Sequence, residues 1–404
     1  MQGNTVGPHR GSIIRGTCYL FLFFCCIPFL FPNPIVKTNN QPYAAILGTL
    51  VLLMRGSMLN KADRGGKWFL IGGLTFVISL IVMLLDKYGL SMDALRSVYN
   101  YYALFVIPCA VIVSLNVLEG LPERLFKNMI ILWFLVSTIQ FFIYRGFATQ
   151  LIGGVRWSQS YRGVVGLASE PSFLGIACFY FLHIVRKFKE KRLFYAVLVI
   201  IMGVLYAQSA TGVMFLAGYF IVFLFDVINS KKGLGIWIAS IIAGIIFIYL
   251  LNTTLAGTRL GQMFHSFFEG GVDSVLSDGS ASVRLNAIGR ALSTAFENGF
   301  IPGGFGYRIG SGYGSMLVEL GFFAIPIILM ISSAMAKTFR KPRSRIAYFI
   351  VVTLLLLNNT QMGNPLLLMV VGINLFYEAE EEKKEPEAIE TESENTNDSV
   401  HQEA

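Results

Sequence analysis

Three arginines and one carboxylate lie close together in a polar stretch of an otherwise apolar chain. Residues 145–171 contain Arg145, Arg156, Arg162 and Glu170. Arginine stays charged at any relevant pH and binds a diphosphate through parallel N–H donors. A carboxylate near such a group can take the proton of an attacking hydroxyl. This stretch therefore predicts an anion-binding site that carries its own candidate base.

The position of Glu170 in the sequence leaves two interpretations open. Because it precedes Pro171, its backbone is expected to be extended, and Pro171 suits the first position of a helix. As a helix cap, the Glu170 carboxylate would accept hydrogen bonds from the amides of Ser172 or Phe173. As a functional group, it would be a general base or would orient an arginine.

A second candidate region lies in residues 252–309, where GSASVRLNAIGRALSTAFENG predicts a short amphipathic helix. Ser280 or Ser282 is the expected cap, and Gly299 the expected stop. At 100° per residue the segment has an apolar stripe and an opposite polar stripe. The apolar stripe consists of Leu285, Ile288, Leu292, Ala295 and Phe296. The polar stripe consists of Asn286, Arg290, Ser293 and Glu297.

Two arginines of this helix differ in their expected surroundings. Arg290 belongs to the polar stripe, whereas Arg284 lies about 70° from the centre of the apolar one. Arg284 is therefore the better candidate for binding an anion at the boundary of the membrane or of a cavity. The alternative is that Arg284 extends along the apolar surface to reach water.

Other residues of the two stretches are weaker candidates for contacting a substrate. The segment PGGFGYRIGSGYG, residues 302–314, either lets backbone amides approach a phosphate or is a hinge, and it contains Arg308. It lacks the lysine of a nucleotide-binding loop. Trp157, Tyr161 and His265 complete the candidate substrate-binding set, although a lone loop histidine is usually solvated surface.

Composition shows which elements must hold these residues. Hydrophobic residues make up 54% of the 404 residues and charged residues 14%, whereas a soluble domain is about 25% charged. This excludes a soluble globular enzyme, a disordered chain and a coiled coil, and it predicts an all-α polytopic membrane protein. The apolar segments are 12–31, 42–58, 68–85, 99–118, 128–144, 172–185, 193–208, 212–228, 234–251, 310–332, 346–357 and 364–377. They predict about twelve transmembrane helices with two long outer loops, 145–171 and 252–309.

Sidedness follows from the distribution of Lys and Arg between alternate loops. One set, which includes both termini, carries 22 of them, and the other carries 10. The first set is therefore expected to be cytoplasmic. Residues 1–377 form the expected membrane domain, and 378–404 an acidic, disordered cytoplasmic tail of net charge −9. The five cysteines lie in apolar runs and suit packing, and no metal-ligand set or cofactor motif is visible.

Two of these segments resemble a known family. RGVVGLASEPSF, from Arg162 to Phe173, resembles the R-x(3)-G-x(2)-S-E-P-S-F segment of bacterial O-antigen and exopolysaccharide polymerases of the Wzy type. SASVR, ending at Arg284, followed by the GGFG of 303–306, is similar to that family's second arginine loop. These motifs cover about 60 residues, and the remainder agrees in hydropathy only.

The resemblance implies a metal-independent glycosyltransferase in the bacterial inner membrane, with its active site facing the periplasm. It would join oligosaccharide repeat units linked to undecaprenyl diphosphate, with lipid-linked donor and acceptor as its substrates. Arg162 and Arg284 would bind the diphosphates, and Glu170 would orient them or act as base. A chain-length-determinant protein would be a partner, and no nucleic acid is involved.

Three other activities compete with this interpretation. ADRGGK, residues 62–67, resembles a signature of major facilitator transporters, but the chain shows no two-fold repeat of six spans. A lipid-linked oligosaccharide flippase should carry charges within its spans, where this chain has little besides Glu319. The related O-antigen ligases carry a histidine where 312–315 reads GYGS, which disfavours a ligase.

Overall fold

The computed structural model is all-helical, with one isolated antiparallel bridge between Leu30 and Ile152 outside the helices. The structure is described for residues 8–32, 40–59, 64–86, 90–155, 163–227, 233–253, 256–276, 279–306, 310–358 and 360–379. Those residues contain no named strand. The predicted all-α class is thereby confirmed for the described part of the chain.

Every predicted apolar segment contains a helix, although 310–332 contains two, and Arg259–Leu276 lies in the predicted loop 252–309. The helices follow one another along the chain. They are α1 Pro8–Cys26, α2 Tyr43–Arg55, α3 Arg64–Leu85, α4 Met92–Val117, α5 Glu123–Phe142, α6 Pro171–Val185, α7 Arg192–Ile201, α8 Ala210–Val227, α9 Gly233–Asn252, α10 Arg259–Leu276, α11 Gly279–Glu297, α12 Gly312–Leu320, α13 Ile325–Ala336, α14 Pro342–Leu356 and α15 Pro365–Ala379. A π-helical turn, Met202–Tyr206, extends α7. The first apolar segment ends at Cys26 rather than at 31, because Pro28 lacks the amide hydrogen that a continuing helix needs.

Several of these helices are apolar and long enough to cross a membrane, which makes the chain a helical membrane protein. The five long ones are Gly65–Leu85, Met92–Val117, Glu123–Phe142, Ala210–Val227 and Gly312–Ala336. The described part of the chain also contains five shorter apolar helices: Ser12–Cys26, Tyr43–Met58, Pro171–Val185, Arg192–Tyr206 and Pro365–Ala379. A helix needs about 20 residues to cross a bilayer unaided, so the count of twelve spans stays a prediction.

One end of the helix bundle holds the start of α6, and we call it the Glu170 end. Phe173 stacks on Phe29 with ring centroids 5.7 Å apart. The Phe29 carbonyl accepts from the amide of Gly153 at 2.9 Å, which brings the 145–155 segment to this end. Tyr99 of α4 donates its hydroxyl to the carbonyl of Gln41 at 3.5 Å. These segments belong to the predicted outer set.

The opposite end holds the end of α6, and we call it the Arg186 end. Arg186 Nη2 lies 2.5 Å from Asp226 Oδ2 at the end of α8. The amide of Lys189 donates to Glu123 Oε1 at 2.9 Å, at the start of α5. These contacts connect segments of the lysine- and arginine-rich set, so the segments named here from the two sets lie at opposite ends of α6.

Small residues let the helices approach closely at the centre of the bundle. A Cβ added to Gly175 of α6 would lie 2.5 Å from Gly212 Cα of α8. A Cβ added to Gly372 of α15 would lie 2.9 Å from the Pro108 carbonyl oxygen of α4. Such contacts are typical of helix packing in membranes, where dispersion replaces the hydrophobic effect.

Candidate functional site

The segment that leads to Glu170 is a buried, non-helical strap held by Gln140 of α5. The Gly166 amide donates to Gln140 Oε1 at 2.7 Å, and Gln140 Nε2 donates to the Gly166 carbonyl at 2.9 Å. Gly166 has φ of +61°, and a Cβ there would lie 2.7 Å from Ser137 Oγ. Only glycine fits this backbone at low cost, which is a physical reason for the glycine at this position of the motif.

The start of the same strap lies against the π-helical turn that follows α7. The Val164 amide donates to the Tyr206 carbonyl at 2.8 Å. A Cβ on Gly163 would come within 2.0 Å of the Ala207 carbonyl oxygen. Arg145 Nη2 donates to the Gly163 carbonyl at 3.0 Å, so one of the predicted arginines positions the strap. Single π-turns are frequently found at functional sites.

Glu170 lies at the cap position of α6 with the backbone that Pro171 was expected to impose. Its φ and ψ are −146° and 154°, and Pro171 is at the first helical position. The carboxylate does not accept from the helix amides; instead, Ser172 Oγ donates to Glu170 Oε2 at 3.2 Å. The capping interpretation is therefore wrong for this side chain: its extended backbone is one that helix caps adopt, but the carboxylate accepts from the hydroxyl of Ser172 and not from the helix amides.

A second polar group lies beside Glu170. Ser169 Oγ is buried and has no hydrogen-bond partner among the described residues. A buried hydroxyl normally has a partner, and one without a partner calls for an explanation such as a catalytic role or a bound water. Ser169 and Glu170 thus place one hydroxyl and one carboxylate at the mouth of α6, at the Glu170 end.

The predicted amphipathic helix exists as α11, but its cap and its buried face differ from the prediction. Helix α11 begins at Gly279, so Ser280 and Ser282 lie inside it and neither is its cap. The predicted stop is confirmed: α11 ends at Glu297, and Gly299 has φ of +59°. The buried residues of α11 are Ala287, Ala291 and Ala295.

The alanine stripe explains why the predicted apolar face was misplaced. A Cβ on Gly314 of α12 would lie 2.6 Å from Ala291 Cβ, so α11 crosses α12 at two small residues. Leu285 and Phe296 of the predicted apolar stripe are exposed. Close approach to α12 selects the small side chains for the interface, whereas large apolar ones are available to lipid.

Arg290 is more exposed than Arg284, as predicted, but the difference arises from the packing of α11 on α12. Arg290 is exposed, with its Nε donating to the Asn286 carbonyl at 3.3 Å, and the whole predicted polar stripe is exposed. Arg284 is half-buried. On the helical wheel it lies about 20° from the centre of the alanine stripe, on the side of α11 that faces α12.

Two amides of the glycine-rich segment after α11 are already hydrogen-bonded within the protein. The Phe305 amide donates to Asp86 Oδ2 at 2.6 Å, and the Gly303 amide to the Val318 carbonyl at 2.8 Å. Gly304 has φ of +76°, and a Cβ there would lie 2.6 Å from Asp86 Oδ2. A carboxylate already bonds to this backbone, and it would repel an anion.

Helix α12 carries an acid that reaches α4. Glu319 Oε2 accepts from Tyr101 Oη at 2.6 Å, and its Oε1 accepts from Ser97 Oγ at 3.1 Å. Tyr101 is buried. The sequence showed Glu319 as an isolated acid in a span, but its partners are more than two hundred residues away in the chain and no local pattern indicates them.

The remaining predicted residues are either separate from this arrangement or outside the described part of the chain. His265 lies on α10 rather than in a loop and is half-buried, and α10 contacts α9 and α11. Arg156, Trp157, Tyr161, Arg162 and Arg308 lie outside the described residues, as does the acidic segment 380–404. The five cysteines are free and buried, as expected.

Known proteins supply no family for this arrangement. No protein-family model matches the sequence, and no curated protein matches it. The resemblance of the two arginine loops to Wzy-type polymerases therefore stays a prediction. What the structure adds is the local contacts of Glu170, Arg145 and Glu319 and the half-buried position of Arg284.

Proposed function

We propose that the protein is a membrane glycosyltransferase that polymerises oligosaccharide repeat units linked to undecaprenyl diphosphate. The product would be an O-antigen, a capsule or an exopolysaccharide. The observation that carries the proposal is the position of Glu170: a buried strap ends in a carboxylate at the mouth of α6, bonded to Ser172 Oγ and not to helix amides. That strap is the segment with the resemblance to the polymerases.

The chemistry assigned to these residues is a substitution at a sugar carbon. A hydroxyl oxygen of the acceptor repeat unit bonds to the anomeric carbon of the donor glycan, and the bond from that carbon to the diphosphate breaks. Undecaprenyl diphosphate leaves with the electron pair, and Glu170 takes the hydroxyl proton. Arg162 and Arg284 neutralise the charge that develops on the diphosphate, a role for preorganised positive groups.

The proposed reaction needs no metal, because arginine side chains supply the positive charge. Arg156, Arg290 and Arg308, with Trp157, Tyr161 and His265, are the further residues proposed to contact the diphosphate or the glycan.

In the proposed topology, the reaction takes place at the outer face of the inner membrane. About twelve spans would cross the bacterial inner membrane, with the Arg186 end and both termini in the cytoplasm. The Glu170 end would face the periplasm, where lipid-linked repeat units are presented as donor and acceptor. A chain-length-determinant protein is the proposed protein partner.

A lipid-linked oligosaccharide flippase is the second candidate, favoured by one observation. Glu319 is an acid on an apolar helix, hydrogen-bonded to Tyr101 and Ser97 of another helix. Acids in such positions commonly mark transport pathways. The resemblance of residues 62–67 to a transporter signature concerns a secondary transporter, which is a separate alternative.

Deleting the gene and measuring surface-glycan length in the host separates these functions. The polymerase proposal expects single repeat units transferred to the cell surface without long chains. Loss of all surface glycan, with lipid-linked units accumulating in the inner leaflet, would favour the flippase. An unchanged glycan would contradict both.

A further inference from the structure

Two basic segments converge at the Arg186 end of the bundle. Arg186, after α6, pairs with Asp226, and its guanidinium carbon lies 4.4 Å from the ring centroid of Phe339, after α13. Lys341 Nζ donates to the Asp226 carbonyl. Residues 186–192 and 337–345 therefore form one surface, which we call the basic patch.

The basic patch carries far more positive than negative charge. Its positive residues are Arg186, Lys187, Lys189, Lys191, Arg192, Lys337, Arg340, Lys341, Arg343 and Arg345. Within the two segments the only acid is Glu190. Six of the positive side chains are exposed: Lys189, Lys191, Arg192, Arg340, Lys341 and Arg343. Orienting a membrane protein needs positive charge on one side, but it does not need that charge gathered from distant loops onto one surface.

The acidic segment of the chain begins at this surface. Lys337 Nζ pairs with Glu378 in the last turn of α15, and Lys187 Nζ lies 4.9 Å from the ring centroid of Tyr377. Helix α15 ends at Ala379. Residues 380–404 then contain ten acids and two lysines, starting with three consecutive glutamates at 380–382.

From these observations we infer that residues 380–404 dock on the basic patch. The contacts of Tyr377 and Glu378 already begin this interface, and the docking extends it with charges of opposite sign. Because the segment is covalently attached at the patch, its effective concentration there is on the order of millimolar. This inference does not depend on the proposed glycosyltransferase activity.

The competing occupant of the basic patch is the headgroup layer of anionic lipids. Both occupants are negative, so salt weakens both. They differ in what the acidic segment does in a bilayer without anionic lipid: docking holds it there, whereas lipid binding leaves it undocked.

A spin label on the acidic segment of the full-length chain tests this inference. Ser393→Cys introduces an accessible thiol, and the native cysteines are buried and react slowly. The protein is placed in nanodiscs of phosphatidylcholine, and label mobility is measured at about 0.01 M and about 1 M salt, where screening lengths are about 30 Å and 3 Å. The triple substitution Lys189→Gln, Lys191→Gln and Lys341→Gln removes exposed charge from the patch.

The matched control is the pair Arg55→Gln and Lys67→Gln, which removes positive charge elsewhere on the same predicted side. Docking predicts a motionally restricted label at low salt, released by high salt and by the triple substitution, and unchanged by the control pair. A label that is equally mobile at both salt concentrations would overturn the inference. So would restriction that survives the triple substitution.

Gel filtration and thermal unfolding show that each variant remains folded before its spectrum is compared. Since the readout is label mobility, the result is independent of glycan polymerisation. If the glycosyltransferase proposal fails, the expected spectra do not change. If docking fails, the proposed reaction at the Glu170 end is not affected.

Discussion

Tyr101 of α4 donates its hydroxyl to Oε2 of Glu319 on α12 over 2.6 Å, and the two residues fix one helix against the other. Helix α12 in turn supports α11 through the contact of Gly314 with Ala291. Arg284 is on α11, on the side that faces α12. The hydrogen bond thus joins α4 to α12, the helix on which the Arg284-bearing helix α11 packs.

Removing the Tyr101 hydroxyl should destabilise the protein without changing its shape. Tyr101→Phe removes one of the two donors to the half-buried Glu319 carboxylate and leaves Ser97, and the lost hydrogen-bond partner costs about 1–3 kcal/mol. We expect a lower thermal unfolding midpoint in detergent. Tyr19→Phe, on an exposed tyrosine of α1, is the control and should leave the midpoint unchanged.

Glu170 and Glu319 should respond differently to the loss of negative charge. Glu170→Gln removes the proposed base and should reduce chain growth by on the order of 10²-fold or more. Glu319→Gln keeps a side chain that can hydrogen-bond to Tyr101 and Ser97, so chain growth should fall less than tenfold. Glycan length in a deletion strain carrying each variant measures this. Equal losses would mean that Glu319 also takes part in the reaction.

The arginines of α11 provide a matched pair on one helix. Arg284→Ala should abolish chain growth, because this half-buried residue is proposed to bind the diphosphate. Arg290→Ala should have a mild effect, since its side chain is exposed and bonds to its own helix at Asn286. The comparison uses glycan length at equal expression. Similar phenotypes would contradict the distinction between the two faces.

The strap should not tolerate a side chain at Gly166. Gly166→Ala places a Cβ 2.7 Å from Ser137 Oγ at φ of +61°. Left-handed backbone at a residue other than glycine costs about 1–3 kcal/mol before the clash is counted. We expect a lower unfolding midpoint and shorter glycans. Gly16→Ala, where a Cβ would meet nothing within 4 Å, is the control for which neither change is expected.

Local features of the site were predictable from the sequence. The extended backbone of Glu170 and the placement of Pro171 follow from the steric effect of proline on its neighbour. The exposed polar stripe through Arg290 follows from helical periodicity. Gly299 ends its helix as expected, because a left-handed residue terminates helices readily.

Features that depend on distant contacts were not predictable. The buried face of α11 is set by its crossing with α12 at Ala291 and Gly314, and hydrophobicity alone selected the wrong stripe. The Phe305 amide bonds to Asp86, an acid from a much earlier loop, and no local pattern in the glycine-rich segment indicates this partner. The carboxylate of Glu170 bonds to Ser172 rather than to amides because side-chain direction depends on the whole strap.

The central claim is that lipid-linked repeat units are joined at the Glu170 end. The most direct measurement reconstitutes the purified protein in proteoliposomes with repeat units extracted from the deletion strain, and follows the products by mass spectrometry. We expect oligomers of increasing length, with one undecaprenyl diphosphate released per bond formed. The Glu170→Gln and Arg284→Ala variants should form no such oligomers. Repeat units that stay single, even if they cross the bilayer, would contradict it.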